Sequence, residues 1–330
     1  MSLLTRRRLL AGSASLIGCA AAPARGQERR KLRAADNQDY DFPTVQALLF
    51  MDRYMREHSG NRLSIEVFPG GQLGEEDETI EQTRISAIDL TRVNLAPMGR
   101  LVPACNVFCL PFLLRSDDHL QRVLDGPVGA QILEWFEQRG LVGLAFYEAG
   151  ARSIYNSIRS IREPADLKGF RIRIQRSEPM AKLVRSLGAI PIELSYSQLL
   201  PALQARLIDG AENNWPSYVT TDHHRVARYY TLTEHVRPPE ILLMSRRAWS
   251  QLGPADQELV RDAARASRDF ARMRMREWTE ISQLQAKAEG VEIVEDFDRP
   301  AFARAFAPVL AEALADPVMK DLADRIRLAE

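Results

Sequence analysis

Residues 166–213 read DLKGFRIRIQRSEPMAKLVRSLGAIPIELSYSQLLPALQARLIDGAEN, and the apolar period switches repeatedly along this stretch. Ile172-Arg173-Ile174 alternates as a strand. Ala181 to Leu187 has helical spacing and ends at Gly188, a residue suited to a helix C-terminal cap. Ile190-Pro191-Ile192-Glu193-Leu194 is strand-like again, and Tyr196 to Leu207 is helical. Strands alternating with helices predict an α/β layer with a largely parallel sheet. Leu141-Val142-Gly143-Leu144-Ala145-Phe146, just upstream, reads as a strand buried on both faces.

The same grammar occupies the first half of the chain. Leu32-Arg33-Ala34-Ala35 opens a short strand, and residues 36–42 form a polar loop. From Pro43, a first-turn residue, Val45, Leu48, Leu49, Met51 and Tyr54 mark a helix. Leu63-Ser64-Ile65-Glu66-Val67-Phe68 alternates as a half-buried strand, and Pro69-Gly70-Gly71 is a turn. A helix over about Glu75 to Ile85 leads into a strand around Leu90 to Leu95. Two α/β units in tandem predict a two-lobe protein with a crevice between the lobes. Pro254 to about Glu289 has no internal proline or glycine, and Gly290 lies just past its end. As one helix it would be about 50 Å long, at roughly 1.5 Å per residue, and would bridge both lobes. The alternative is two helices with a break. Pro300–Leu314 and Pro317–Leu328 add further helices. The expected lobes are residues 25–150 with about 239–278, and residues 151–238 with about 279–330.

Residues 1–24 read as an export signal. Arg6-Arg7-Arg8 precedes an apolar stretch from Leu9 to about Ala22 that is too short and too rich in small residues for a permanent span. Thr5-Arg6-Arg7-Arg8-Leu9-Leu10 fits the twin-arginine pattern. Cleavage is expected near Ala24, within Ala22-Pro23-Ala24. Leu16-Ile17-Gly18-Cys19 offers the alternative of a lipid anchor at Cys19. The signal carries three arginines and no acid, so 44 basic residues fall to 41 against 44 acidic ones, a net charge near −3. That charge argues against a nucleic-acid or anionic-membrane surface.

Chemistry-bearing motifs are sparse. His58, His119, His223, His224 and His235 include no HExxH pair and have no cysteine at metal-ligand spacing. Adjacent His223 and His224 would point about 100° apart on a helix, and are read as surface or structural residues. No GxSxG, P-loop or placed GxGxxG is present. Neither catalytic residues, nor a metal, nor a cofactor is therefore expected. Cys105 and Cys109 border or occupy the apolar run Val107-Phe108-Cys109-Leu110-Pro111-Phe112, where free thiols pack as small hydrophobes, although an exported protein could bridge them.

Several strings resemble the extracytoplasmic binding subunits of TRAP transporters, the DctP-type family. These are Phe68-Pro69-Gly70-Gly71-Gln72-Leu73-Gly74, Leu110-Pro111-Phe112-Leu113, Asp166-Leu167-Lys168-Gly169-Phe170-Arg171-Ile172-Arg173-Ile174, Leu187-Gly188-Ala189-Ile190-Pro191 and Asp209-Gly210-Ala211-Glu212-Asn213. The resemblance implies a two-lobe periplasmic binding protein that binds its solute in the interlobe cleft, without ATP or metal. It would work as a monomer with a small and a large membrane subunit, DctQ- and DctM-type.

The resemblance also assigns residues. Arg173 would grip the ligand carboxylate, for which a planar guanidinium offers two parallel donors. Arg171, on the same strand face, is the competing assignment. Arg152, Asn213 and Tyr196 would complete the carboxylate end. Asn37, Glu76 and Asn94 would contact the rest of the solute. Glu212-Asn213-Asn214-Trp215-Pro216-Ser217-Tyr218, Tyr229-Tyr230, Thr233-Glu234-His235 and Asp39-Tyr40-Asp41-Phe42-Pro43-Thr44 resemble the hexuronate-binding branch. Trp215 would then stack on the sugar ring, or else serve as ordinary packing. A C4-dicarboxylate ligand would require a second cation on the first-lobe wall, where no arginine stands out. An exported enzyme and a ligand-sensing subunit are the rivals from other classes.

Overall fold

The computed structural model describes residues 29–329 and contains eleven strands among them. These are β1 (Arg30–Ala35), β2 (Leu63–Phe68), β3 (Leu90–Asn94), β4 (Leu141–Tyr147), β5 (Arg152–Asn156), β6 (Arg171–Ile174), β7 (Ile190–Glu193), β8 (Gly210–Asn213), β9 (Tyr229–Val236), β10 (Glu240–Ser245) and β11 (Glu292–Val294). They form two sheets, ordered β2-β1-β3-β10-β4 and β11-β9-β5-β8-β6-β7. The first is parallel through β2, β1 and β3, and β10 enters antiparallel between β3 and β4. The second is parallel through β7, β6 and β8, whereas β5 runs antiparallel to both β8 and β9.

Each sheet is the middle layer of a lobe because its central strands are apolar on both faces. Along β10, Leu242 and Met244 point into one core with Leu32, Leu48 and Leu90. Ile241 and Leu243 point into the opposite core with Val93, Phe108 and Phe146. In the second lobe Ile172 and Ile174 pack with Leu183, Val184, Phe302 and Phe306. Tyr155, Leu199, Ala211, Tyr218 and Tyr230 fill its other face. Cys105 and Cys109 are buried free thiols, as expected, and burial pushes the Cys109 thiol up to about 12.

The chain passes between the lobes at residues 148–151, joining β4 to β5, and at residues 237–239, joining β9 to β10. Gly150, at the first crossing, has φ +75°, a backbone conformation that side chains with a Cβ seldom adopt. The segment from Pro254 to Ala288 is one unbroken helix of 35 residues, so the bridging reading holds. Its buried face runs through Val260, Ala263, Ala264, Ser267, Ala271 and Met275, at helical spacing. Val260, Ala263, Ala264 and Ala271 join the first-lobe core, and Ala286 near its end joins the second.

Two expectations need correction. The expected second lobe takes in everything from about 279 to 330, but the last helix, Pro317–Leu328, packs Leu322, Ala323 and Ile326 into the first-lobe core. His119 fastens it there, donating from Nε2 to the Ile326 carbonyl at 2.8 Å. His223 and His224 are not surface residues: each is 1% exposed. His223 Nδ1 meets Tyr155 Oη at 2.9 Å, and His224 Nε2 meets Glu289 at 3.0 Å. The predicted signal, its cleavage site and Cys19 lie outside the described residues.

Candidate functional site

Between the lobes lies a cavity of about 320 Å³. It sits near the lower end of the roughly 300–1,000 Å³ usual for small-ligand pockets. Glu75, Glu76, Asp77 and Pro97 line it from the first lobe, and Arg173, Gln175, Arg176, Glu193, Leu194, Ser195, Tyr196 and Gln198 from the second. Hydrogen bonds cross the cleft at its rim: Gln175 Nε2 donates to Glu76 Oε2 at 3.3 Å, and Arg176 to Asp77 at 3.1 Å.

Arg173 comes from β6, where it sits in register with Ile192 of β7 and Ala211 of β8. The side chain is 2% exposed. Its Nε donates to the Leu194 carbonyl at 2.9 Å, while Nη1 is buried without a hydrogen-bond partner. Among the described residues no carboxylate lies within ion-pair distance of it. Burial pulls its pKa below the ordinary arginine value, with Glu212 opposing and Arg152 adding to the shift. An isolated guanidinium in such a place is costly unless something anionic joins it. Tyr196, in the first turn of the helix Tyr196–Gln204, contributes a second buried donor, its hydroxyl having no partner.

Arg171, the competing anchor, is already paired. Its guanidinium binds Asp209 at 2.7 and 3.0 Å and the Arg206 carbonyl at 2.9 Å, and it does not line the cavity. Arg152 departs from expectation in part. It is buried and paired with both carboxylate oxygens of Glu212, and it also donates to the Glu212 carbonyl and to Asn213 Oδ1, each at 2.7 Å. These four bonds leave one Nη1 hydrogen, so Arg152 is not a free cation. Its clearest effect is to orient Asn213. Asn213 Oδ1 accepts from Arg152 and from the Asn214 backbone at 2.9 Å, which leaves the amide NH2 to donate elsewhere.

On the first-lobe wall, Glu76 opens the helix Glu76–Arg84 and accepts from the Asn94 backbone at 2.8 Å. Burial raises its pKa, an effect opposed chiefly by Arg92. Asn94 spends its Oδ1 capping the following turn, accepting from the Ala96 backbone at 3.0 Å. Asn37 Oδ1 accepts from Arg92 at 2.8 Å. Arg92 is the arginine that sequence reasoning missed: it is 1% exposed on β3 and paired with Asp36, Glu240 at 3.0 Å and Glu76 at 3.6 Å. Burial pushes Glu240 up to about 7. The available signal was a charged residue in the middle of Leu90-Thr91-Arg92-Val93-Asn94, a strand buried along its whole length.

Of the two roles read for Trp215, its contacts support packing: it is stacked on Tyr230 at 3.8 Å with 19° between planes, stands edge-on to Tyr218 and, like Arg152, Asn213, Asn37 and Asn94, is not among the residues lining the cavity. Its place is the aromatic core of the second lobe.

Comparison with known proteins matches this architecture. The family described as bacterial extracellular solute-binding protein, family 7 (DctP), matches residues 35–316. The chain belongs to this family. A TRAP periplasmic solute-binding protein from Bradyrhizobium sp. BTAi1, solved with α/β-D-galacturonate, is 42% identical and superposes with a TM-score of 0.88, covering 90% of this chain and 99% of that one. Another, from Pseudomonas putida F1 with bound D-glucuronate, is 35% identical with a TM-score of 0.88, over 91% and 98% of the two chains. A solute-binding protein of Chromohalobacter salexigens is 31% identical over 290 residues, 88% of this chain and 86% of that protein. The DctP-family chain is thus a TRAP periplasmic solute-binding protein, of a class that binds small acids and works with membrane subunits. Among the described residues, no helix is long and apolar enough to cross a membrane.

Proposed function

We propose that this DctP-family protein captures a hexuronate, such as galacturonate or glucuronate, in the interlobe cleft and delivers it unchanged to DctQ- and DctM-type membrane subunits. The observation that carries this reading is the buried guanidinium of Arg173, which faces the cavity without a carboxylate of its own. A ligand carboxylate supplies that partner. Tyr196 and the Asn213 amide stand ready as further donors, and Arg152 positions Asn213. Glu76 offers acceptors, and the Asn37 and Asn94 amides, their Oδ1 atoms taken by Arg92 and the Ala96 backbone, offer N–H donors, a mix that suits hydroxyls, which both donate and accept. The uronates bound by the Bradyrhizobium and Pseudomonas relatives support the same choice. The protein acts as an exported monomer that needs no cofactor and turns nothing over. Its lobes divide at residues 148–151 and 237–239, with the last helix on the first lobe.

Thermal shift tests the reading. Galacturonate or glucuronate should stabilise far more than galactose or glucose, by about 2.7 kcal/mol at ~100 times Kd. Stabilisation by succinate or malate with none by uronates would overturn the uronate assignment. Chemical alteration of the ligand on incubation would overturn the binding-only role.

A further inference from the structure

The cations around the cavity are unequally committed. Arg176, at the mouth, lies 3.1 Å from Asp77 and 3.9 Å from Glu193. Arg152 is held by Glu212, and Arg92 is shared by Asp36, Glu76 and Glu240. Only Arg173 lacks a carboxylate among these four. In formal charge, Arg173 and Arg152 against Glu212 leave the second-lobe wall at plus one. Behind the first-lobe wall, Arg92 against Asp36 and Glu76 alone leaves minus one, before Glu240 is counted, and Glu75 and Asp77 add acids along the lining itself.

We infer that Glu76, backed by Asp36 and flanked by Glu75 and Asp77, is a specificity determinant that accepts hydroxyl donors and turns away a second carboxylate. The site then takes polyhydroxy monocarboxylates and rejects the dicarboxylates of the same carbon skeleton. The inference rests on the uronate reading above and adds a rule to it. Glu76 Oε1 accepts from the Asn94 backbone and Oε2 from Gln175, so this carboxylate presents acceptors to the cleft and a ligand group facing it must donate. A hydroxyl there forms a charge-assisted bond. A carboxylate there meets like charge inside a desolvated cleft, where repulsion is strong and poorly screened. Arg92 cannot relieve it, because that cation is already shared by Asp36, Glu76 and Glu240.

The test compares galactonate and galactarate, open-chain acids of one skeleton with one and two carboxylates, as displacers of bound galacturonate. Galactarate should bind at least ~100-fold more weakly than galacturonate, and more weakly than galactonate. In Glu76→Gln the galactarate-to-galactonate affinity ratio should move at least tenfold toward parity. A merely structural role for Glu76 would weaken both acids together and leave that ratio alone. Galacturonate binding with galactarate equal to galactonate in the wild type overturns the inference alone. So does an unmoved ratio in folded Glu76→Gln, or no displacement by either acid in the wild type together with none by galactarate in the variant. A folded protein that binds neither uronate overturns the inference and the uronate reading together.

Discussion

Truncating Arg173 should give opposite signs in two measurements, and the pairing pattern dictates both. In this structure its guanidinium has one backbone acceptor, at 2.9 Å, and an unpartnered Nη1 inside a cleft that leaves the side chain 2% exposed. With a ligand present, removing the main partner of its carboxylate should cost about 2–5 kcal/mol, or roughly 30-fold to several thousand-fold in affinity. Without ligand, the same truncation removes a buried charge that has no counter-ion, so the melting temperature should hold or rise. An arginine in a structural ion pair behaves otherwise, because its loss strands a partner at a cost of about 3–5 kcal/mol. Arg173→Lys should also bind poorly, since an ammonium keeps the charge and loses the two-pronged fork. Arg171→Ala is the control: its partner Asp209 lies outside the cavity, so affinity should change less than about threefold. Calorimetry on variants whose native melting has been checked reads affinity, and thermal unfolding without ligand reads the second sign. Uronate binding by Arg173→Ala within threefold of wild type would refute the assignment. A marked loss of ligand-free stability with binding preserved would refute the unpaired-cation argument.

Three further outcomes follow from the same structure. Trp215→Phe should lower thermal stability by about 1–3 kcal/mol through a lost core contact, yet keep galacturonate affinity within about threefold, because the ring is spent on Tyr230; an affinity loss above tenfold at unchanged stability would restore a ligand-stacking role. Burial lowers the pKa of His223 to about 3, against about 6.5 in the unfolded chain, so between those values the unfolded state binds the extra proton and stability falls as pH falls. His223→Gln removes that term, and its urea-unfolding free energy should fall less steeply from pH 6 to pH 4, by up to about 1.4 kcal/mol per unit; the raised carboxylates Glu76 and Glu240 act with the opposite sign in both proteins and cancel, and parallel curves would sink the idea. Replacing Arg6 and Arg7 by lysine should abolish periplasmic delivery by the twin-arginine route, and an unchanged yield of processed protein would point to the general secretory route instead.

The fold was legible to the extent that it depends on local pattern. Helix Pro43–Ser59, strand Leu63–Phe68 and helix Pro254–Ala288 declare themselves through period, a first-turn proline and an absence of breakers. The last helix shows where local pattern stops. Its apolar face, Leu322, Ala323 and Ile326, is evident in the sequence, but an apolar stripe says only that it will be covered. Which core covers it depends on residues about 200 positions away, such as His119, 207 positions from Ile326.

The site divides along the same line, and its chemistry turns on that division. Arg152, Arg171 and Arg173 are indistinguishable as side chains, all three lying on strands of one sheet. What separates them is whether a neighbouring strand or turn brings a carboxylate. Glu212 of β8 lies opposite Ile154, next to Arg152 along the ladder that aligns β5 with β8, and Asp209 precedes β8 beside Arg171. Arg173, between them, faces the cleft and receives neither. Arg92 is the opposite case, an arginine with three acids gathered from positions 36, 76 and 240. Their separation in the chain hid the cluster. The cleft therefore holds a buried cation without a counter-ion opposite a wall where acids outnumber the one arginine, and an anion seated on Arg173 is what relieves that imbalance.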